Sequence, residues 1–547
     1  MSGDPRRRHP RLLVALGGAL FLPGCTQPEP PPPPPSPTVL DVSATSGVWF
    51  VHDPEPAQLP PGFPVAARHH LREVAGGVVD ADLDGDGALD LFFPQIAGAN
   101  QLYWGVGDGT FEMAGSIPVM ERPDLLDQMG SAADFDGDGL LDLLVAGVGT
   151  LGLLRNTGDR GFVDVTAAMG LTPSDGFAGC SAWGDYDSDG DLDLFVGAYV
   201  RDIGESGPVP ALDRLWRNDG ASFANVTEGL DYATTPGGGL TMHCLFRDID
   251  QDGDPDLFKL NDFAMLSRSS MWENLGPSEG GWRWTDRLST SGVVPPDFAM
   301  GALVADLDGV QGDDLWMSNI GADRSFQHTG PWTWTDTSLV WTGALPTTND
   351  AISWSVLPFD LDGDGDPGVL ITYGPLSPPG SAQVPYLELQ PDRLLDPVFD
   401  GEALVGFEVA AVPLGDPADG SSRGAASGDL DGDGAPDLVI ARIDGPPAIL
   451  LSRPGAYGFL GVQLKDDGSR NRFGIGARVR LTAGDLVREQ AVMAGGRGTF
   501  SGGDPTLWFG LGGRQSELVE VWWPDGSRSE HDVGDLRAGE TVEIAHP

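Results

Sequence analysis

Asp82-Leu-Asp-Gly-Asp-Gly-Ala-Leu-Asp90 puts four carboxylates into nine residues and runs straight into Leu91-Phe92-Phe93. Carboxylates this close repel one another unless a cation sits among them. Near-copies begin at Asp134, Asp185, Asp248, Asp306, Asp360 and Asp429, spaced about 50–70 residues apart. Small and apolar residues precede each cluster, and a short apolar run follows it, as in "DLLVAG" from Asp142 and "DLFVGA" from Asp193. That pattern reads as strand, tight loop, strand. A second element recurs further on, as "LLRNTGDRGFVDVTAAMG" from Leu153 and "LWRNDGASFANVTEG" from Leu215. Its Asn/Gly-rich turn marks another hairpin, so the period suits one four-stranded sheet per unit.

The ends of the array predict how it closes. The last unit, from Asp429, reaches "AILLSRPG" and lacks the final F-x-D-V-T strand, whereas "TVLDVSATSG" at 38–47 matches "FVDVTAAMG" at 162–170. An N-terminal strand that completes the last sheet would remove the exposed edges of an open array. The expectation is an all-β fold: a seven-bladed β-propeller over 38–454, closed by its N-terminal strand. From about Gly455 the aspartate loops stop and short alternating strands continue, predicting a small β-sandwich or barrel over 455–547.

In the first loop the carboxylates stand at positions one, three, five and nine, and Gly85 and Gly87 permit the sharp turns between them. Alternate carboxylates in a tight loop converge, and the Ala88 carbonyl at position seven can join them. An all-oxygen, flexible shell suits calcium better than magnesium. An EF-hand is excluded, because it needs a bidentate Glu at position twelve and flanking helices. Position twelve is Phe93, Val145, Val196, Lys259 and Ile440 in five of the loops, and the flanks are β-like.

D-x-D-G-D-G-x-x-D-L loops at this period resemble the FG-GAP or VCBS repeats of integrin α-subunit propellers and their bacterial relatives. The resemblance implies calcium held in each hairpin through positions one, three, five, seven (carbonyl) and nine. Carried over, the side-chain ligands are Asp82, Asp84, Asp86 and Asp90, then Asp134, Asp136, Asp138 and Asp142, then Asp185, Asp187, Asp189 and Asp193. The fourth loop offers Asp248, Asp250, Asp252 and Asp256, and the seventh Asp429, Asp431, Asp433 and Asp437. Position seven is Leu140, Asp191, Asp254 and Ala435 in the second, third, fourth and seventh loops. The fifth loop keeps Asp306, Asp308 and Asp314 but has Val310 at position five; the sixth keeps Asp360, Asp362 and Asp364 but has Gly368 at position nine. About five well-formed calcium sites and two degraded ones are expected, with the ions serving a structural role. In the last segment Asn471-Arg-Phe-Gly-Ile-Gly-Ala477, Phe509-Gly-Leu-Gly512 and Trp523-Pro-Asp-Gly526 resemble the ASPIC/UnbV module, which often follows such propellers, as in bacterial homologues of cartilage acidic protein.

The first 25 residues read as a signal peptide, with a basic start, an apolar stretch too short to span a membrane comfortably, and Leu22-Pro23-Gly24-Cys25, which resembles a bacterial lipobox. The resemblance implies lipidation of Cys25, and Thr26 beside it resembles lipoproteins sorted to an outer membrane. The proline run over 26–37 is a semi-rigid spacer. An outer-membrane or cell-surface lipoprotein is therefore expected, or a secreted protein if Cys25 is not lipidated. Contact with a membrane would come only through that anchor. Export permits a bond between Cys180 and Cys244, and two buried free thiols are the alternative.

The net charge of −49 argues against nucleic-acid binding, since such a chain repels phosphates. The chain contains no H-E-x-x-H, G-x-x-x-x-G-K-[ST] or C-x-x-C motif. His52, His69 and His70 could meet and hold a transition metal, or simply hydrogen-bond in a loop. Nothing in the chain demands chemistry, so the expected function is a surface binding or adhesion module for a protein or polysaccharide. The loops 201–214 and 374–385 are long enough to shape its binding face. The alternative is a secreted carbohydrate-active enzyme, a lyase or hydrolase, on the same scaffold.

Overall fold

The computed structural model describes residues 37–52, 74–96, 98–117, 120, 122, 126–204, 207–230, 238–279, 281–310, 312–343, 351–376, 390–415, 420–443, 445–453 and 455–547. Each aspartate loop joins two short strands, the first being Val79–Ala81 and Asp90–Phe93. Gln101–Gly105 and Phe111–Met113 follow and complete a four-stranded antiparallel sheet in chain order. The unit recurs with first strands Asp127–Ala133, Ala178–Gly184, Thr241–Arg247, Ala299–Ala305, Ser353–Phe359 and Ser421–Gly428. These give sheets two to seven, numbered with their loops.

Sheet seven draws three strands from its own segment. Its fourth is Thr38–Asp41, which pairs antiparallel with Ala448–Arg453 in a register from Thr38↔Arg453 to Asp41↔Leu450. The displaced F-x-D-V-T match is therefore a strand of the last sheet. First strands of consecutive sheets pack side by side, and that of sheet seven packs beside both sheet six and sheet one. Apolar residues at period two fill the spaces between sheets. Val79, Phe92 and Trp104 meet Leu143, Val145 and Leu154 between sheets one and two. Between sheets one and seven, Val78, Leu91 and Tyr103 meet Val439, Ile449 and Leu451. Cys180 and Cys244 form a disulfide joining the first strands of sheets three and four, which decides between the two alternatives left open by their spacing.

From Phe459 the chain builds two further sheets. Arg478–Ala483 alternates cleanly, with Val479, Leu481 and Ala483 buried in a core shared with Leu460, Val462, Val521 and Ile544. Phe459–Lys465 pairs parallel with the last strand, Glu540–Ala545, a crossover that local patterning does not foretell.

The segment 494–503 leaves these sheets and runs between the first strands of all seven. Ala494–Gly495 adds to sheet three at Ala182 and Trp183. Gly496 abuts Cys244 and Leu245 of sheet four, Thr499 abuts Gly301 of sheet five, and Gly498 abuts Ala425 of sheet seven. Backbone N–H groups close the rest: Val78 donates to Ser501 Oγ at 3.2 Å, Gly130 to the Phe500 carbonyl at 3.3 Å, and Thr499 to Ser355 Oγ at 2.8 Å. Phe500 is buried and holds the left-handed conformation at φ 62°, which turns its carbonyl onto Gly77, where a Cβ would have no room. Residues 36–547 accordingly form one compact unit.

Candidate metal centres

The loops are shaped by their own carboxylates. Gly85 N–H and Asp86 N–H donate to Asp82 Oδ1 at 2.8 and 3.1 Å, and Gly87 N–H donates to Oδ2 at 3.0 Å. Gly85 and Gly87 stand at φ +78° and +92°, where an L side chain would be strained. Position-one carboxylates accept loop N–H groups in the same way at Asp134, Asp185, Asp360 and Asp429. In five loops position five reaches the surface. Asp86, Asp138, Asp189, Asp252 and Asp433 are exposed and accept the N–H of position seven, at Ala88, Leu140, Asp191, Asp254 and Ala435.

Position nine is the most buried. Asp90 accepts Leu83 N–H and Gly105 N–H, both at 2.8 Å, so it ties its loop to the third strand. Asp142, Asp193, Asp256, Asp314 and Asp437 repeat this pair of bonds. In loops two to five, positions one, three and nine bring one oxygen each within 4.8 Å of the others: Asp134, Asp136 and Asp142; Asp185, Asp187 and Asp193; Asp248, Asp250 and Asp256; Asp306, Asp308 and Asp314. In loop one the converging set is Asp82, Asp84 and Asp86.

These sets fit a hard cation. Asp136 Oδ1, Asp187 Oδ1, Asp248 Oδ1 and Asp250 Oδ1 are buried without a hydrogen-bond partner, as is Oδ1 of Asp254 at position seven. Buried oxygens are rarely left so, and a metal ion would satisfy them. Burial, reinforced by neighbouring carboxylates, pushes Asp134 up to about 6, Asp185 and Asp254 to about 7, and Asp437 to about 8. Such clusters resist full ionisation until positive charge enters them.

Loop six departs for a local reason. In the other sheets the third strand offers an N–H to position nine, from Gly105, Asn156, Asn218, Asn274, His328 and Ser452. The register of sheet six puts Pro397 there, which has no N–H to give, and position nine is Gly368. In loop five Val310 is exposed in place of the outward carboxylate.

The aspartate loops also form a docking surface. Asn471 N–H donates to Gly190 O of loop three at 3.0 Å, and Arg472 Nε donates to Gly137 O of loop two at 2.7 Å. Gly512 N–H donates to Gly363 O of loop six at 2.7 Å, and Gly510 lies against the Asp360 carboxylate with no room for a Cβ. Gly539 packs on Gly434 of loop seven. Asn471 and Arg472 of the "NRFGIGA" stretch and the two glycines of "FGLG" thus sit on the repeated loops.

Three asparagines escaped sequence reasoning. Asn156, Asn218 and Asn274 donate Nδ2 to the position-two carbonyl of the preceding loop, at Leu83, Phe135 and Tyr186. Their recurrence at one place in successive repeats was the available signal. His52 is fully buried, and desolvation lowers its pKa to about 3. His69, His70, Cys25 and the proline spacer lie outside the described residues. The 201–214 loop is a hairpin of Val200–Gly204 and Gly207–Pro210, and most of the 374–385 loop lies outside the described residues.

Family comparison matches residues 82–127 and 134–196 to the FG-GAP-like repeat, and residues 467–547 to the ASPIC and UnbV domain. Cartilage acidic protein 1 of Homo sapiens is 31% identical over 132 residues, which is 24% of this chain and 20% of that protein. The Mus musculus protein matches to the same extent. The alignment thus spans about a fifth of the length of these relatives. Among solved structures, BP39L lectin from Burkholderia pseudomallei aligns over 70% of this chain and 97% of its own at 13% identity, TM-score 0.43. An Agrocybe aegerita lectin that recognises non-reducing terminal N-acetylglucosamine aligns over 62% and 80% at 17% identity, TM-score 0.39.

Proposed function

We propose that this chain, which carries FG-GAP-like repeats followed by an ASPIC and UnbV domain, is an exported binding module built on a calcium-stabilised, seven-bladed propeller. The calcium ions hold the loops in the shape on which the C-terminal domain docks. The propeller is anchored through Cys25 and binds a protein or glycan on the side opposite the aspartate loops.

One observation carries this reading. The C-terminal domain lies against loops two, three, six and seven, and its 494–503 segment occupies the space between the first strands. Among the described residues, the connections at the other ends of the strands include the Val200–Pro210 hairpin between the second and third strands of sheet three. Loops held at the end of a rigid scaffold are where binding residues concentrate.

A glycan array probed with the full chain, and with a variant in which 201–209 is replaced by a short glycine turn, tests this. Binding by the parent and its loss in the variant is the expected result. Retained binding in the variant would move the ligand elsewhere. Release of product from acidic polysaccharides would replace the binding reading with an enzymatic one.

A further inference from the structure

The geometry points to Arg488 as a built-in cation beside loops five and six, supplying there part of the positive charge that a metal ion would bring to the other loops. The inference rests on the calcium reading of those other loops.

Arg488 belongs to the strand Leu486–Ala491 of the C-terminal domain, and its side chain is 14% exposed. Its Nε donates to the Gly365 carbonyl and its Nη2 pairs with Asp366, positions six and seven of loop six. Its Nη1 lies so close to Gly309, position four of loop five, that a Cβ there would have no room. One guanidinium therefore touches two loops, and they are the two that have lost a carboxylate, at Val310 and Gly368. A guanidinium is always charged and offers donors in a fixed fork, so it can satisfy a carbonyl and a carboxylate together.

The remaining acids of loop five are also met from within the chain. Gln327 Nε2 donates to Asp308 Oδ2 at 2.6 Å. Asp313 is held by Arg247 Nε and Nη2 at 2.6 and 2.7 Å, and both partners are buried. Asp306, Asp308 and Asp314 still converge, but beside a fixed positive charge that opposes entry of a divalent ion. Arg160 at loop one, Arg472 at loop two, Arg470 at loops two and three and Arg453 at loop seven differ, because their side chains are 49%, 33%, 48% and 40% exposed and can swing away from their loops. Arg488 thus reaches loops five and six only when the C-terminal domain is docked.

Crystals of the full chain soaked in a terbium salt test this by anomalous scattering, alongside melting of the wild type and Arg488→Gln in metal-free buffer. The expected result is peaks in loops one to four and seven, none in five and six, and a lower Tm for Arg488→Gln. Arg488→Lys, which keeps the charge, should recover part of the lost Tm, and Arg160→Gln should leave the metal-free Tm unchanged. A peak in loop five or six with Arg488 in place would overturn the inference and leave the calcium reading intact. Peaks nowhere would overturn the calcium reading; Arg488 would then stand or fall on its metal-free Tm, and an unchanged value in Arg488→Gln would sink it. If Arg488→Gln does not fold, the wild-type peaks and Arg488→Lys decide.

Discussion

Asn156 donates its backbone N–H to Oδ1 of Asp142 at 2.7 Å, while its side-chain amide donates to the Leu83 carbonyl of the preceding loop at the same distance. The pair recurs as Asn218 with Asp193 and Asn274 with Asp256. The carboxylate at position nine is therefore an internal tie as well as a candidate ligand, and the asparagine beside it links one sheet to the next.

Loss of that carboxylate should hurt even without metal. Asp142→Ala leaves the N–H groups of Phe135 and Asn156 buried and unpaired, at a cost of about 2–4 kcal/mol. Asp138→Ala, at the exposed position five, should matter only when calcium is present. Urea unfolding of both variants with and without chelator checks this, and equal losses in chelator would contradict it.

The pH dependence has a definite sign. Burial raises Asp134 to about 6, Asp185 to about 7 and Asp437 to about 8, above the 3.8 of the unfolded chain. Acids raised in this way bind more protons folded than unfolded, so their contribution is complete below about pH 4 and is lost as pH rises through these values. Metal-free protein should become less stable from about pH 4 to 8, and calcium should stabilise it more over the same window. Tm measured against pH in metal-free and calcium buffers tests both trends; a metal-free Tm that climbs with pH would contradict the account.

The segment between the sheets should be needed for stability. Phe500→Ala removes a buried ring packed near Trp354, their centroids 6.4 Å apart, and should cost about 3–5 kcal/mol. Gly77→Ala should also destabilise, because a methyl group has no room against the Phe500 carbonyl. Denaturant midpoints of the two variants give the answer.

The Cys180–Cys244 bond ties sheets three and four, and removing it as the Cys180→Ser, Cys244→Ser pair should cost about 2–4 kcal/mol. A reductant should produce a similar fall in Tm in the parent and none in the double variant.

Periodic features were legible in the sequence. The aspartate loops, the apolar runs after them and the displaced strand at Thr38–Asp41 all fall where the repeat puts them, because each follows from local patterning. The 494–503 insertion was not legible, since it works through backbone groups and small side chains that read as an ordinary loop. Gly368 read as one missing ligand; only the register that puts Pro397 where the other sheets offer an N–H shows why no carboxylate belongs there. Arg488 read as one charge on an alternating strand, because its partners lie more than a hundred residues away.

The most direct test is the melting temperature of the full chain at pH 7, taken in chelator and again after calcium is restored. The account predicts a clear drop in chelator and full recovery with calcium, because the carboxylate clusters of the loops repel one another until a cation joins them. A melting temperature indifferent to both would contradict it.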